Sequence, residues 1–227
     1  RVNFKLNKEL DQEMAEEFIK DPDFKQGIFE LHSELKEVKK AESKEKAEKI
    51  IDDYFDRFYK ENKPELGDTR QNFQKEWSRV EEEFFDAVDE LFSGYEPFGG
   101  NYRGYLSIIN CNPRFLDKNS FQVYYKHPKG VRYISAHELL HFAFYDYTKD
   151  NFPEFFENKD PNEGVWWDLA ELFNDVVLAI DRFERIHGQE KIPVYPEHGE
   201  YIEGFGKLWA ECESMDEFIK KGYQKLT

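Results

Sequence analysis

The spacing of apolar residues predicts that residues 1–95 form amphipathic helices and little else. Asn7 stands where the N-cap of a first helix is expected, and Ser43 stands in the same position before a third helix. Between them, an Asp-Pro-Asp sequence at 21–23 ends the first helix and begins a second. We therefore expect an N-terminal helical region over residues 1–95.

A fourth helix is predicted after a break at residues 64–67, with Asp68 as its N-cap. Its apolar residues are spaced three and four apart without interruption, and they are Phe73, Trp77, Val80, Phe84, Val88 and Leu91. A continuous stripe of this kind is typical of a single helix that packs lengthwise on a partner.

The pattern changes after residue 95. Segments 105–110 and 121–126 are rich in β-branched and aromatic residues, which favour strands. Helical spacing resumes at about 133–147, 165–186 and 200–212, and again after Ser214. The sequence thus predicts an α+β fold that is mainly helical, with a small mixed sheet and C-terminal helices in a second region over residues 96–227.

Composition narrows the class of partner. The 227 residues carry a formal net charge of -16 at pH 7. Such a field repels phosphate backbones and anionic membrane surfaces, so no binding to nucleic acid is expected. No apolar run is long enough for a membrane span, and two cysteines, Cys111 and Cys212, are too few for a disulfide scaffold. No signal peptide is visible, which favours the cytoplasm, although the chain begins at Arg1 and a preceding segment could have been removed.

One predicted helix carries the motif HELLH, from His137 to His141. Because residues i and i+4 lie on one face of a helix, His137 and His141 can direct both imidazoles at one metal ion. Glu138 is turned by about 100° from His137 and can reach a water on that ion without binding the metal itself. Zinc lowers the pKa of a bound water towards about 7, and a glutamate can take its proton as the water attacks a carbonyl. The motif therefore indicates metal-assisted hydrolysis.

The helix predicted at 165–186 offers a third ligand. It is apolar around most of its circumference, yet Asp168, Glu171 and Asp175 fall within about 60° of one another. A narrow acidic stripe on such a helix is costly unless the carboxylates meet a cation, a donor or water. The alternative is that the stripe is the solvent-facing edge of the helix. The other candidate ligands are Cys111, Glu163 and Asp168.

In this arrangement the chain resembles the gluzincins, the thermolysin-like zinc peptidases, in which HExxH is followed by Glu-x-x-x-Asp on a later helix. Here the second motif reads ELFND, from Glu171 to Asp175. The resemblance implies a zincin-like core in which His137, His141 and Glu171 bind one Zn²⁺ ion and Glu138 is the general base.

The same resemblance implies supporting carboxylates around the ligands. Asp175 would hold a zinc-binding histidine in the required tautomer, with Asp168 as a second supporting group. Ala170 stands where thermolysin-like enzymes often have Asn, so the resemblance is to the clan and not to one family.

The resemblance extends to the strands before the motif. In gluzincins an edge strand pairs with an extended substrate and is followed by a second strand and the active-site helix. This order predicts that Ile109, Asn110 and Asn112 contact a peptide through main-chain hydrogen bonds, while the alternative is an ordinary structural strand.

The oxyanion formed during hydrolysis needs a hydrogen-bond donor beside the metal, usually Tyr or His. The candidates are His198 and Tyr201, with Tyr195 as a third, because Pro196 and Gly199 indicate a loop there.

These residues predict a peptidase that cleaves a peptide or protein substrate with one Zn²⁺ ion. Two alternatives stay open: a non-catalytic binding or scaffold protein whose zinc site is structural or vestigial, and a metal-free helical protein in which HELLH is a coincidence. Among the other histidines, we expect His187 to cap a helix and His32 and His127 to lie at the surface. The sequence does not predict the oligomeric state.

Overall fold

The chain folds into two units, each built from two separate stretches of sequence. The structure is a computed structural model that describes residues 1–93, 95, 100–189 and 198–227. The first unit comprises Arg1–Trp77 and Asn101–Val131, and the second comprises Ser78–Gly100 and Arg132–Thr227. This division differs from the two continuous regions, 1–95 and 96–227, that the sequence predicts. The described residues are mainly helical with a small mixed sheet, which confirms the predicted α+β class.

The first unit contains the sheet. Its strands are β1 (Val2–Leu6), β2 (Tyr102–Ser107), β3 (Arg114–Phe115) and β4 (Ser120–Tyr124). They lie in the order β1-β2-β4-β3, with β1, β2 and β4 parallel and β3 antiparallel to β4. The prediction of helices alone before residue 95 missed β1, whose five residues alternate between buried and exposed positions.

Strand β1 lies at an edge of the sheet, where its outer backbone groups would lack a strand partner. The side-chain amide of Gln74 replaces that partner. Its Oε1 accepts a hydrogen bond from Phe4 N at 2.9 Å, and its Nε2 donates to Val2 O at 3.1 Å. On the neighbouring strand, Gly104 makes room for the ring of Phe4, with which a Cβ would collide. The helix that carries Gln74 thus protects the edge of the sheet.

The helices of the first unit are α1 (Lys8–Phe18), α2 (Lys25–Leu31), α3 (Lys44–Glu61) and α4 (Lys63–Ser78), with 3₁₀ helices at Ser33–Lys40 and Leu116–Lys118. Two of the three predicted N-caps are confirmed, since Asn7 Oδ1 accepts a hydrogen bond from Leu10 N and Ser43 Oγ accepts one from Lys46 N. The third prediction is wrong, because Asp68 lies inside α4 and not at its start.

The predicted break at residues 64–67 is wrong. Helix α4 runs through it, because Pro64 stands in the first helical turn, where a missing amide hydrogen costs nothing. The break falls instead at residues 79–80, so the unbroken stripe of the predicted fourth helix belongs to α4 and to the following α5 (Glu81–Leu91).

The second unit is helical. After α5 it contains α6 (Gly130–Asn151, which begins at the end of the first unit), α7 (Pro153–Phe156), α8 (Gly164–Leu178), α9 (Asp181–His187), α10 (Ile202–Glu211) and α11 (Met215–Leu226). Helix α8 packs against α10 and α11 and is buried along all of 169–178. None of the described helices is both long enough and apolar enough to cross a lipid bilayer.

The predicted helix at 165–186 is two helices, α8 and α9. His187 stabilises the turn between them, because its Nε2 hydrogen-bonds Leu178 O, the carbonyl of the last residue of α8, at 2.9 Å. His187 was expected to cap the helix that it ends. It instead caps α8, the helix before its own.

His32 was expected at the surface, and that prediction is wrong. It is 5% exposed in the first unit, where its Nδ1 lies 2.6 Å from Tyr54 Oη and its Nε2 lies 2.8 Å from Ile108 O. Both ring nitrogens are thus satisfied by partners that are distant in sequence. His127 is half-buried, and its Nδ1 accepts a hydrogen bond from Lys129 N.

Candidate metal centre

Helices α6 and α8 bring the side chains of His137, His141 and Glu171 to one point in the second unit. The Nε2 atoms of His137 and His141 are 3.1 Å apart. Glu171 Oε1 lies 3.1 Å from His141 Nε2, and Glu171 Oε2 lies 3.5 Å from His137 Nε2. Around a tetrahedral zinc ion with ligands at about 2.0–2.1 Å, neighbouring ligand atoms lie about 3.3 Å apart. The separations therefore fit a single zinc ion held by these three residues.

The ligand group is buried on one side and open on the other. The side chains of His141 and Glu171 are 0% and 2% exposed, whereas that of His137 is 14% exposed. A carboxylate buried at this depth needs a compensating charge or donors, which a cation between the three groups would supply. Because the side chain of His137 is partly exposed, solvent can reach the ligand group from that side.

The helix geometry that the motif predicts is present. His137 and His141 are one turn apart on α6, so both imidazoles leave the same face. Glu171 lies in the fully buried stretch of α8, so the predicted alternative of a solvent-facing acidic edge does not hold at this residue.

Asn174 links the two helices, and sequence reasoning missed it. Its side chain is fully buried on α8, and Nδ2 donates a hydrogen bond to His137 O on α6 at 2.9 Å. No local sequence pattern marks it, because its partner is a backbone carbonyl on another helix. This bond fixes α8 against the turn of α6 that carries the first histidine.

Glu138 is 4% exposed and is not a member of the group that converges on one point. It follows His137 directly on α6, so it leaves the helix in a different direction from the two histidines. Glu138 is therefore next to a ligand in sequence and outside the ligand group, and its role as general base stays a prediction.

Asp175 does not have the contact that was predicted for it. It is 5% exposed, yet within the described part of the chain it accepts no hydrogen bond from His137 or His141. Burial, and then the negative charge of Glu171, raise the pKa of Asp175 to about 7. A cation bound at Glu171 would oppose this effect and favour the ionised carboxylate.

The two histidines stand within a column of rings on α6. Tyr133 stacks on His137 with ring centroids 6.2 Å apart, and Tyr145 stacks on His141 at 5.7 Å. Tyr145 in turn meets Trp166 of α8 edge to face at 5.2 Å.

His198 and Asp168 form a pair of their own. His198 is 2% exposed, and its Nε2 lies 3.0 Å from Asp168 Oδ1, while its ring lies 5.2 Å from that of Trp167. Asp168, predicted as a supporting carboxylate or alternative ligand, therefore contacts His198 and is outside the ligand group. Tyr201 stands at the N-cap of α10 and is likewise outside the ligand group, and Tyr195 lies outside the described residues.

The residues predicted to bind substrate lie in the first unit, in the loop after β2. The prediction of an edge strand is wrong, because β2 lies between β1 and β4 and its backbone is already paired. Ile109 N hydrogen-bonds Ser107 Oγ, and Asn112 Oδ1 accepts a hydrogen bond from Tyr124 N at 2.9 Å. Asn110 lies between them in the same loop. A peptide cannot add to β2 by strand pairing.

The alternative ligands are not in the group. Cys111 is buried in the first unit, and burial raises the pKa of its thiol to about 12, which opposes the thiolate form that binds metals. Glu163 is exposed at the N-cap of α8. Of the candidates weighed for the third position, Glu171 is the one that meets both histidines.

The chain matches no protein-family model, no curated protein and no solved structure. Similarity to the gluzincins therefore remains an expectation from the two motifs.

Proposed function

We propose that this protein is a zinc-dependent peptidase that hydrolyses peptide bonds in a peptide or protein substrate. The observation that carries the proposal is the convergence of His137 Nε2, His141 Nε2 and the Glu171 carboxylate at separations of 3.1–3.5 Å. The buried Glu138 directly after the first ligand adds the group that a hydrolytic reaction needs.

The three ligands are of the types that zinc prefers, and their number is typical of catalytic zinc sites. Two imidazole nitrogens and a carboxylate oxygen are ligands that zinc prefers, and three protein ligands with an open fourth position are typical of catalytic zinc sites. Structural zinc sites almost always have four protein ligands instead. Within the described part of the chain the group has three members, one of them accessible to solvent.

A zinc ion bound here would supply a water of lowered pKa and would polarise the carbonyl of the scissile bond. Glu138 takes the proton of the attacking water and delivers it to the leaving amine. His141 and Glu171 are buried and fixed by packing, so the ligands hold their geometry through the reaction.

We propose that either His198 or Tyr201 donates the hydrogen bond that stabilises the oxyanion. His198 has one feature that suits the role, since its contact with Asp168 at 3.0 Å fixes the direction of the ring. Substitution of each residue by Phe separates them, because the donor variant loses turnover while zinc binding is kept.

The test is Glu138→Gln, which keeps the shape of the side chain and removes the base. We expect the variant to bind zinc in the same stoichiometry as the wild type and to cleave no member of a peptide library digested in parallel. Glu157→Gln is the matched control, because Glu157 is an exposed glutamate of the same unit. Metal content is measured by mass spectrometry and cleavage by the fragments released.

Retained cleavage by Glu138→Gln would exclude Glu138 as the base. A wild-type protein that binds zinc but cleaves no peptide would instead favour the non-catalytic alternative.

Glu171→Ala tests the third ligand. We expect zinc affinity to fall by more than the roughly 10–100-fold that loss of a residue supporting a ligand costs. Glu163→Ala is the control, since Glu163 is an exposed acid at the start of the same helix. If Glu163→Ala loses zinc and Glu171→Ala keeps it, the third ligand is Glu163.

A further inference from the structure

The ring of Tyr145 stacks on the imidazole of His141. The two rings are nearly parallel, with an interplanar angle of 14° and centroids 5.7 Å apart. His141 is fully buried, so the stacked tyrosine forms part of the wall that surrounds its imidazole.

Tyr145 is itself fixed by two partners from outside α6. Its hydroxyl donates a hydrogen bond to Pro161 O at 2.7 Å, in the segment before α8. Its ring meets the ring of Trp166 at 87°, and Trp166 Nε1 donates to Thr148 Oγ1 at 3.0 Å. The ring of Tyr145 is therefore held in place by Trp166 of α8 and by the segment that precedes α8.

The orientation of the imidazole decides whether His141 can bind a metal, because the lone pair of Nε2 lies in the ring plane. The torsion that turns a histidine ring is broad when nothing restrains it. In most metal sites a carboxylate or carbonyl hydrogen-bonded to the other ring nitrogen supplies the restraint. The ring of Tyr145 offers a second kind of restraint on His141, since it lies nearly parallel to the imidazole.

We propose that Tyr145 is a positioning residue that fixes the ring of His141 for metal binding by stacking on it. This inference rests on the proposed zinc site and adds a residue that neither motif contains. The planar ring of Tyr145 is the feature that acts, and the hydroxyl serves only to hold that ring in place.

The test compares three substitutions on α6 in the full chain. Tyr145→Leu removes the planar ring, and Tyr145→Phe keeps it. Tyr147→Leu is the matched control, because Tyr147 also packs its ring in the second unit and donates its hydroxyl to a carboxylate, Asp216, away from the ligand group. Zinc affinity is measured by competition with a chromophoric chelator, and the visible spectrum of the Co²⁺-loaded protein reports ligand geometry.

We expect Tyr145→Leu to weaken zinc binding by about tenfold or more and to shift the Co²⁺ bands. Tyr145→Phe should stay within about threefold of the wild type and keep the spectrum, and Tyr147→Leu should change neither quantity even where it lowers the melting temperature. If Tyr145→Leu does not fold, Tyr145→Met is measured in its place, because methionine fills similar volume without a planar ring.

Equal zinc affinity in Tyr145→Leu and Tyr147→Leu, or equal losses in Tyr145→Leu and Tyr145→Phe, would overturn the positioning role. These outcomes leave the zinc site standing. A wild-type protein that binds no zinc overturns both proposals, and one that binds zinc without peptidase activity overturns the proposed function alone.

Discussion

Asp11 is a buried carboxylate that no sequence pattern singles out. It is 0% exposed in the first unit, and its donors come from three other parts of the chain. Oδ2 accepts hydrogen bonds from Tyr59 Oη at 2.6 Å and from Ile108 N at 3.0 Å, and Oδ1 accepts one from Gln122 Nε2 at 2.7 Å. Burial is the larger effect nevertheless, and it raises the pKa of Asp11 from 3.8 to about 6.

This shift predicts how stability depends on pH. A carboxyl group whose folded pKa exceeds its unfolded pKa binds a proton on folding, so its contribution is full below about pH 4 and is lost as the pH rises to about 6. The loss amounts to about 3 kcal/mol at 1.36 kcal/mol per pKa unit.

Asp11→Asn should abolish this dependence, because the amide stays neutral. Asn keeps an acceptor for Tyr59 and Ile108, and Gln122 can turn its amide to offer Oε1, which has no partner within the described residues. We expect the stability of the variant relative to wild type to rise by about 3 kcal/mol between about pH 4 and pH 7 in urea unfolding of metal-free protein. Parallel pH curves for the two proteins would contradict the assignment.

At the residue scale, the site was more predictable than its surroundings. The motif HELLH itself places His137 and His141 four residues apart. Glu171 was predicted because it is an acidic residue on a mostly apolar helix. Asp11, His32 and Asn174 were not predictable, because each is defined by partners distant in sequence.

At the scale of elements, two of the three predicted N-caps were correct, whereas the breaks between helices were predicted in the wrong places or missed. Asn7 and Ser43 cap the helices expected of them. The α4–α5 and α8–α9 breaks lie within continuous apolar stripes, so periodicity alone joins the helices across them. Strand β1 was missed because five residues beside a helix carry little periodic signal.

Gln74 provides a test at this scale. Gln74→Ala removes the amide that pairs with Val2 and Phe4, so the edge of β1 loses one donor and one acceptor. We expect the free energy of unfolding to fall by about 1–3 kcal/mol, the cost of leaving such groups unsatisfied.

Gln71→Ala is the control, since Gln71 is an exposed glutamine on the same helix, and its effect should stay within about 0.5 kcal/mol. Equal effects of the two substitutions in urea unfolding would show that the edge contact contributes nothing.

At the scale of the whole molecule, the division of the chain escaped prediction. Each unit takes residues from before and after position 95, because residues 101–131 complete the sheet begun by β1, while α5 packs with α9. A boundary read from a change in local pattern cannot detect pairing of this range. The second unit nevertheless contains all three proposed zinc ligands.

Zinc should therefore stabilise the folded protein by mass action. At a free zinc concentration a hundred times the dissociation constant, the gain is about 2.7 kcal/mol, which corresponds to several degrees in melting temperature. We expect a chelator to lower the melting temperature of the wild type and to leave that of His137→Ala unchanged. An equal response of both proteins would place the stabilising ion elsewhere.

Anomalous scattering at the zinc absorption edge, from crystals of the zinc-loaded protein, tests the proposed metal site most directly. The proposed site requires one strong peak about 2.0–2.1 Å from His137 Nε2, His141 Nε2 and a carboxylate oxygen of Glu171. A difference map with no peak between these three residues, or with its peak held by other side chains, would contradict it.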